Sequence, residues 1–269
     1  MSLVQVENDG RVAVVTLNRP EKHNALNAEM MVRLADAWDR IAQDDSVRVV
    51  LLTGAGERAF CAGADLGSLA PLATGAKAPE TVFEQRWVDG HQSLVDRALL
   101  RNTDFHKPVV AAINGLAVAA GFELMLGTDI RVASMTSTFQ LSEVRHGLIP
   151  SGGSLARLPR QIGWANAMEI ILAASVIEAD RARSMGLINR VVAPGDVRAA
   201  ARDLCDRIAE GAPLALSKAK EAVLRSSGCD LPWAFQIEEE CQAVVMASED
   251  AREGPRAFME RRAPQFTGR

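Results

Sequence analysis

Tyrosine is absent from the 269 residues, and aromatic residues of every kind make up only 4%. The core must therefore be aliphatic and alanine-rich, and no reaction can use a phenol hydroxyl as acid, base or nucleophile. Cysteine is sparse. Cys61, Cys205, Cys229 and Cys241 are widely spaced and make no C-x-x-C pair, which reads as reduced thiols in a cytoplasmic protein rather than as a disulfide framework. The four histidines, His23, His91, His106 and His146, make no H-x-x-x-H pair, so no metal is expected. An excess of basic charge is also missing. The formal net charge is −4, which removes the electrostatic case for a nucleic acid or an anionic membrane as partner. The most apolar stretch, Pro108 to Leu126, is interrupted by Asn114, Gly115, Gly121 and Glu123 and is no membrane span. The first ten residues have neither a basic nor an apolar signal segment, so no leader is expected. Neither G-x-x-x-x-G-K-[ST] nor G-x-S-x-G occurs, so the markers of phosphate-loop and α/β-hydrolase chemistry are lacking.

What is present is an ordinary globular composition, 48% apolar and 24% charged. Val4 and Val6 alternate with polar residues up to Asp9-Gly10, and Val12 and Val14 resume the alternation, which predicts a hairpin. Val15 and Leu17 point the other way, so the second strand should be covered on both faces. Asn27 is a suitable cap for a helix from Ala28 to about Gln43, with Met30, Met31, Leu34, Ala37, Trp38 and Ile41 as its apolar stripe. The run Val47–Thr53 reads as a buried strand. This β-α-β order predicts an α/β core with parallel pairing. Residues 54–65 are expected as a loop, 69–80 as a mobile loop and 81–100 as a helix. Strands are expected at Val109–Ile113, Ile130–Ala133, Phe139–Glu143 and Leu187–Val192. Short helices are expected near 120–126, after Ser154, and at 164–174 and 179–185. Beyond Pro194-Gly195 the pattern is all helix, at about 196–210, 214–226, 232–247 and 249–262. The organisation is thus an α/β core over 1–195 and a helical region over 196–269.

Three segments carry possible chemistry. Gly54-Ala55-Gly56-Glu57-Arg58-Ala59 matches a dinucleotide fingerprint, but it runs into another glycine-containing loop instead of a long helix, so a plain turn is the better reading. Ala119-Ala120-Gly121-Phe122-Glu123 places small residues at the start of a short helix. The first N–H groups of a helix have no internal acceptor and carry its positive dipole end, so a substrate oxygen can approach them as half of an oxyanion hole. Glu123 lies on the same face as Ala120, three residues on; close helix–sheet packing is the competing reading. Glu143, 20 residues later, could equally pair with Arg145 or cap a turn.

Taken together, these residues resemble the crotonase (enoyl-CoA hydratase/isomerase) superfamily. The matching pieces are Leu17–Asn27, Phe60–Leu66, Gly115–Asp129, Phe139–Glu143, Gly147–Pro150, Arg157–Pro159, Gly186–Val191 and Ala257–Arg262. They run nearly end to end in the expected order. The resemblance implies a spiral of ββα turns followed by a C-terminal helical trimerisation region, with assembly into a homotrimer or a dimer of trimers. It implies an acyl-CoA thioester substrate, with coenzyme A belonging to the substrate and no separate cofactor. The oxyanion amides would be those of Ala64 and Ala120, where the family usually has glycine at the second position. The adenine end of coenzyme A would lie against Ala25, Ala62, Asp65 and Leu66, with Gly121 in the substrate site. Its phosphates would meet Lys22, helped by Arg261 or Arg262.

Glu123 and Glu143 match both hydratase acids. The implied activity is reversible hydration of a trans-2-enoyl-CoA to a 3-hydroxyacyl-CoA in fatty acid metabolism. Adding water across a conjugated C=C needs one carboxylate to deprotonate water for attack at Cβ and another to deliver a proton to Cα. A Δ3,Δ2-enoyl-CoA isomerase or another acyl-CoA dehydratase of the family is the alternative. From other classes, an acyl-CoA-binding protein with a dead site and a nicotinamide oxidoreductase compete. One departure is visible: Pro150-Ser-Gly-Gly-Ser-Leu-Ala-Arg157 stands where P-G-A-G-G-T-Q-R is commoner, so Ser151 replaces a glycine that helps hold the water.

Overall fold

A computed structural model describes residues 2–101 and 104–269. The chain opens with the hairpin β1 (Val4–Asp9) and β2 (Val12–Leu17), turned at Gly10. Helix α1 (Ala28–Ala42) follows, capped by the Asn27 side chain accepting from the Met30 N–H at 2.9 Å. Then come β3 (Val49–Gly54), β4 (Ala59–Cys61), α2 (Leu66–Ala73) and α3 (Val82–Ala98). Thr81 and Glu84 close a reciprocal capping box at the start of α3. The middle of the chain holds β5 (Val109–Ile113), β6 (Leu116–Val118), α4 (Ala120–Leu126), β7 (Ile130–Ser134) and β8 (Thr138–Gln140). It continues through α5 (Ser154–Ile162), α6 (Trp164–Ala173), β9 (Ile177–Glu178), α7 (Ala179–Ser184) and β10 (Arg190–Val192). The last four helices are α8 (Val197–Ala209), α9 (Pro213–Ser226), α10 (Leu231–Met246) and α11 (Asp250–Glu260).

The strands form two sheets. One runs β1-β2-β3-β5-β7-β10 and is parallel except for the hairpin; the other runs β4-β6-β8-β9 and is parallel except for its last pair. The chain visits them alternately. β3 then β4, β5 then β6, and β7 then β8 each place one strand in each sheet, and a helix follows each pair. This is the expected spiral of ββα turns.

The larger sheet is covered on both faces. Val15, Leu52, Ala111 and Ala133 face the main core with α1, whereas Val14, Leu51, Val110 and Val132 face Val197, Ala201, Leu204 and Cys205 of α8. The boundary expected at 195 falls in the 3-10 turn Pro194–Asp196. Helix α8 beyond it packs on β3, β5 and β7, and α9 packs chiefly on α10.

The structure corrects four local expectations. The segment 69–80 is not wholly a loop: α2 extends to Ala73 and buries Leu69 and Leu72. Hydrophobic burial outweighs Pro71, which lacks only one helix donor. The loop over 54–65 contains β4, and the strand expected from Leu187 begins at Arg190. The strand expected to reach Glu143 stops at Gln140, and Glu143 instead opens a 3-10 turn to His146. Among the described residues no helix is long and apolar enough to cross a membrane.

Candidate active site

Glu123 sits in the middle of α4 and is buried. Its Oε1 accepts from the Ser154 hydroxyl at 2.7 Å and from the Ser154 N–H at 3.3 Å, and the Gly152 amide faces the same carboxylate. A Cβ at Gly152 would collide with that carboxylate, so the glycine is required by close approach. Burial pushes the Glu123 carboxyl above its usual range; the Ser154 and Gly152 donors and the Arg101 charge act against that.

Glu143 is half-buried. One of its oxygens, Oε2, is enclosed without a hydrogen-bond partner. Arg145 does not pair with it, because the Arg145 guanidinium donates to the Ala173 carbonyl at 3.1 Å. Burial raises the Glu143 carboxyl, and the charge of Glu123 raises it further. The two acids, 20 residues apart in sequence, thus act on each other electrostatically in one site.

Two amides face the same region. Ala120 is the first residue of α4, and its N–H has no acceptor among the described residues. The Ala64 N–H is also unengaged, although Leu26 bridges the chain on either side: Leu26 N–H donates to the Gly63 carbonyl and the Leu26 carbonyl accepts from Asp65 N–H. A Cβ at Gly63 would lie 2.8 Å from the Ala119 Cβ and 3.2 Å from the Ala120 nitrogen, which brings the two loops together. Ala119, just before α4, holds φ +50° and ψ −126°, a backbone conformation that costs an alanine on the order of 1–3 kcal/mol. Its N–H donates to the Gln140 carbonyl at 2.9 Å, and this bond fixes the turn that exposes the Ala120 amide.

The residues expected around coenzyme A come from two loops that pack together. Ala62 N–H donates to the His23 carbonyl, and Arg19 bridges the loops, donating to Asp65 at 2.7 Å and to the Ala25 carbonyl at 3.1 Å. Asn24 is fully buried and ties the region down: its amide donates to the Ala55 and Ala59 carbonyls, and its oxygen accepts from Arg19 N–H. Lys22 and Leu66 are exposed beside this junction. Gly121 is buried with its Cα against the Cys61 backbone. Arg262, expected near the phosphates, is engaged with Glu253 and Glu260.

Three residues of the site carry no functional signal in the sequence: Arg19 and Asn24 lie within Leu17–Asn27 without a role of their own, and Ser154 marks only a helix start. Nothing in their spacing announces that they contact the site. Among the described residues no cluster of His, Cys, Asp or Glu could hold a metal ion. The arrangement can therefore hold an anionic oxygen at two amides while two carboxyls of unlike surroundings move protons.

Comparison with known proteins is consistent with this geometry. The family description "Enoyl-CoA hydratase/isomerase" matches residues 7–269. Enoyl-CoA hydratase EchA19 of Mycobacterium tuberculosis is 41% identical over 98% of this chain and 96% of its own. The short-chain-enoyl-CoA hydratase of Clostridium acetobutylicum is 34% identical over 96% of this chain and 95% of its own. The crystal structure of an enoyl-CoA hydratase from Bacillus anthracis superposes with a TM-score of 0.89 at 34% identity, covering 99% of this chain and 100% of that one.

Proposed function

The chain belongs to the enoyl-CoA hydratase/isomerase family, and from that premise we propose that it hydrates trans-2-enoyl-CoA thioesters reversibly to 3-hydroxyacyl-CoA. The observation that carries this reading is the pair of acids in one site with unlike partners, both raised by burial. Hydrogen-bond donors to Glu123 favour its ionised form, whereas Glu143 has an unpartnered oxygen and feels its neighbour's negative charge. Two carboxyls in one site with unlike hydrogen-bond surroundings suit a division of labour between base and acid.

In the proposed reaction the thioester oxygen accepts from the Ala64 and Ala120 N–H groups. Ionised Glu123 takes a proton from water as its oxygen attacks Cβ. The electrons move to the thioester oxygen as an enolate, which the two amides stabilise. Protonated Glu143 then delivers its proton to Cα. The bond changes balance: one C–O and one C–H bond form, the C=C becomes single, and the lost and gained protons re-equilibrate through solvent. Lys22, Ala25, Ala62, Asp65, Leu66 and Gly121 are assigned to coenzyme A and substrate binding, with the Arg19–Asp65 bridge holding the two loops in register.

Assembly as a trimer or a dimer of trimers belongs to the same proposal. Leu231, Trp233, Phe235, Val244, Met246 and Phe258 are all exposed on the isolated chain, more apolar surface than a solitary terminal helix pair leaves in water. A cytoplasmic location is supported by four unpaired cysteines. The test is incubation with crotonyl-CoA, following loss of the enoyl absorbance. Turnover is the expected result. Coenzyme A binding without turnover, or turnover of a 3-enoyl-CoA alone, would replace the hydratase reading.

A further inference from the structure

Ser154 is the first residue of α5 and is fully buried. A serine there commonly turns to its own helix. This one turns away from it: the hydroxyl lies 2.7 Å from Glu123 Oε1 and 3.3 Å from the Pro150 carbonyl oxygen. A hydroxyl has one proton and can give it to only one acceptor at a time. Both acceptors are within reach of the same Oγ position, so rotation about the C–O bond alone exchanges them.

The choice follows the charge of Glu123. A carboxylate is the stronger acceptor, and charge-assisted hydrogen bonds are roughly twice as strong as neutral ones. With Glu123 ionised the proton points to Oε1. Once Glu123 has taken a proton from water, that advantage disappears and the Pro150 carbonyl becomes the competing acceptor. Ser154 N–H and Oγ–H both address Oε1, so neither of them occupies Oε2, which lies against Gly152.

We propose that Ser154 is a positioning residue for the hydration reaction, keeping Glu123 as the ionised, water-facing acid and following its charge by turning one hydroxyl proton between Glu123 and Pro150. The proposal rests on the hydratase reading for the identity of the reaction, and on geometry alone for the contact. The charged groups that face Glu123 are Glu143 from the 3-10 turn, Arg101 after α3 and Arg157 of α5. None of them makes a direct hydrogen bond to it, so Ser154 is the one side-chain hydroxyl among the described residues that can respond in place.

The test uses the full-length protein with Ser154→Ala, which removes the hydroxyl and keeps Cβ, and Ser154→Thr, which restores it. The Glu123 carboxyl is titrated by infrared difference spectroscopy, its band identified by its loss in Glu123→Gln. Ser154→Ala is expected to raise the Glu123 midpoint by about one pH unit and to move the acidic limb of the kcat profile by the same amount. It should lower kcat at neutral pH roughly tenfold with KM nearly unchanged. Ser154→Thr should recover the midpoint. A Glu123 midpoint unmoved in Ser154→Ala overturns the proposal, as does a loss of kcat that tracks only a lower melting temperature. Wild-type protein that fails to turn over crotonyl-CoA overturns the hydratase reading instead, and the titration still decides the role of Ser154.

Discussion

Replacing Arg131 should damage the site without touching it. Arg131 lies on β7, and its guanidinium is buried at the C-terminal end of α4, the helix that carries Glu123. It donates to the carbonyls of Met125, Leu126, Thr128 and Leu187 and to the Gln161 side chain, at 2.9–3.1 Å. A helix leaves its last carbonyls unpaired and carries a partial negative charge there, so a planar cation with five donors satisfies the end in one piece. Burial lowers the guanidinium to about 10, and it remains a cation at neutral pH. Met125 and Leu126 have other donors in Thr128 and Gln161, but Thr128 and Leu187 accept from Arg131 alone among the described residues. In Arg131→Ala those two carbonyls lose their donor, at about 1–3 kcal/mol each. Water entering the vacated polar space recovers part of that, while the packing of the long stem is lost as well. The expected loss is about 3–5 kcal/mol, the range for breaking a buried charge network. For a chain of this length that lowers Tm by roughly 10 °C or more. Arg131→Lys should lose most of the same, because one ammonium cannot reach Leu187 and Leu126 together. Urea unfolding at fixed protein concentration measures it, and a stability within about 1 kcal/mol of wild type for Arg131→Ala would refute the argument.

Three further outcomes are expected. Glu123→Gln and Glu143→Gln should each lower kcat for crotonyl-CoA hydration by at least about 10²-fold with KM moving much less, and the double variant should cost far less than the product of the two; near-wild-type hydration by Glu143→Gln would remove the two-acid mechanism. Glu143 is raised above its ordinary 4.5 in the folded protein, so its neutral form is favoured by folding and its contribution is lost as pH rises above 4.5 through the folded value; Glu143→Gln should therefore gain stability over wild type as pH rises from 4.5, and a difference independent of pH would contradict it. Light scattering at micromolar concentration should report a trimer or hexamer, and a monomer of 28.9 kDa would leave Trp233 and Phe258 without the cover proposed for them.

How much of this was legible beforehand depended on how local the cause was. Helix α1 was readable because its stripe, its Asn27 cap and its length all speak within one segment. The hairpin was readable from its alternation about Asp9-Gly10, and β2, β3 and β5 because apolar runs of five or six residues are buried on both faces. The second sheet was hardly readable, since β4, β6, β8 and β9 are two or three residues long and exist only through partners far along the chain. Helix α2 was hidden by Pro71, because its support comes from the packing of Leu69 and Leu72. In the site, resemblance singled out Glu123 and Glu143, and a carboxylate amid aliphatic neighbours was a signal in its own right. Ser154 and Arg131 gave no such signal, because their importance lies in acceptors 31 and 3–56 residues away that only the fold brings near.

Several departures from ordinary folding rules lie where the chemistry is assigned. Ala119 takes a backbone conformation that favours glycine, Glu123 is a buried carboxyl, and among the described residues the Ala64 and Ala120 amides have no acceptor and Glu143 Oε2 no donor. Each of these is destabilising on its own. Three of them have a neighbour that fixes them: the Gln140 carbonyl behind Ala119, the Leu26 bridge around Ala64, and Ser154 behind Glu123, with Arg131 closing the far end of α4. In the proposed reaction an enolate oxygen would give the two amides an acceptor. The changes at Ser154 and Arg131 should differ in what they move beyond the melt: the first shifts the Glu123 titration and the acidic limb of kcat, and the second moves the melt and changes the rate only through it.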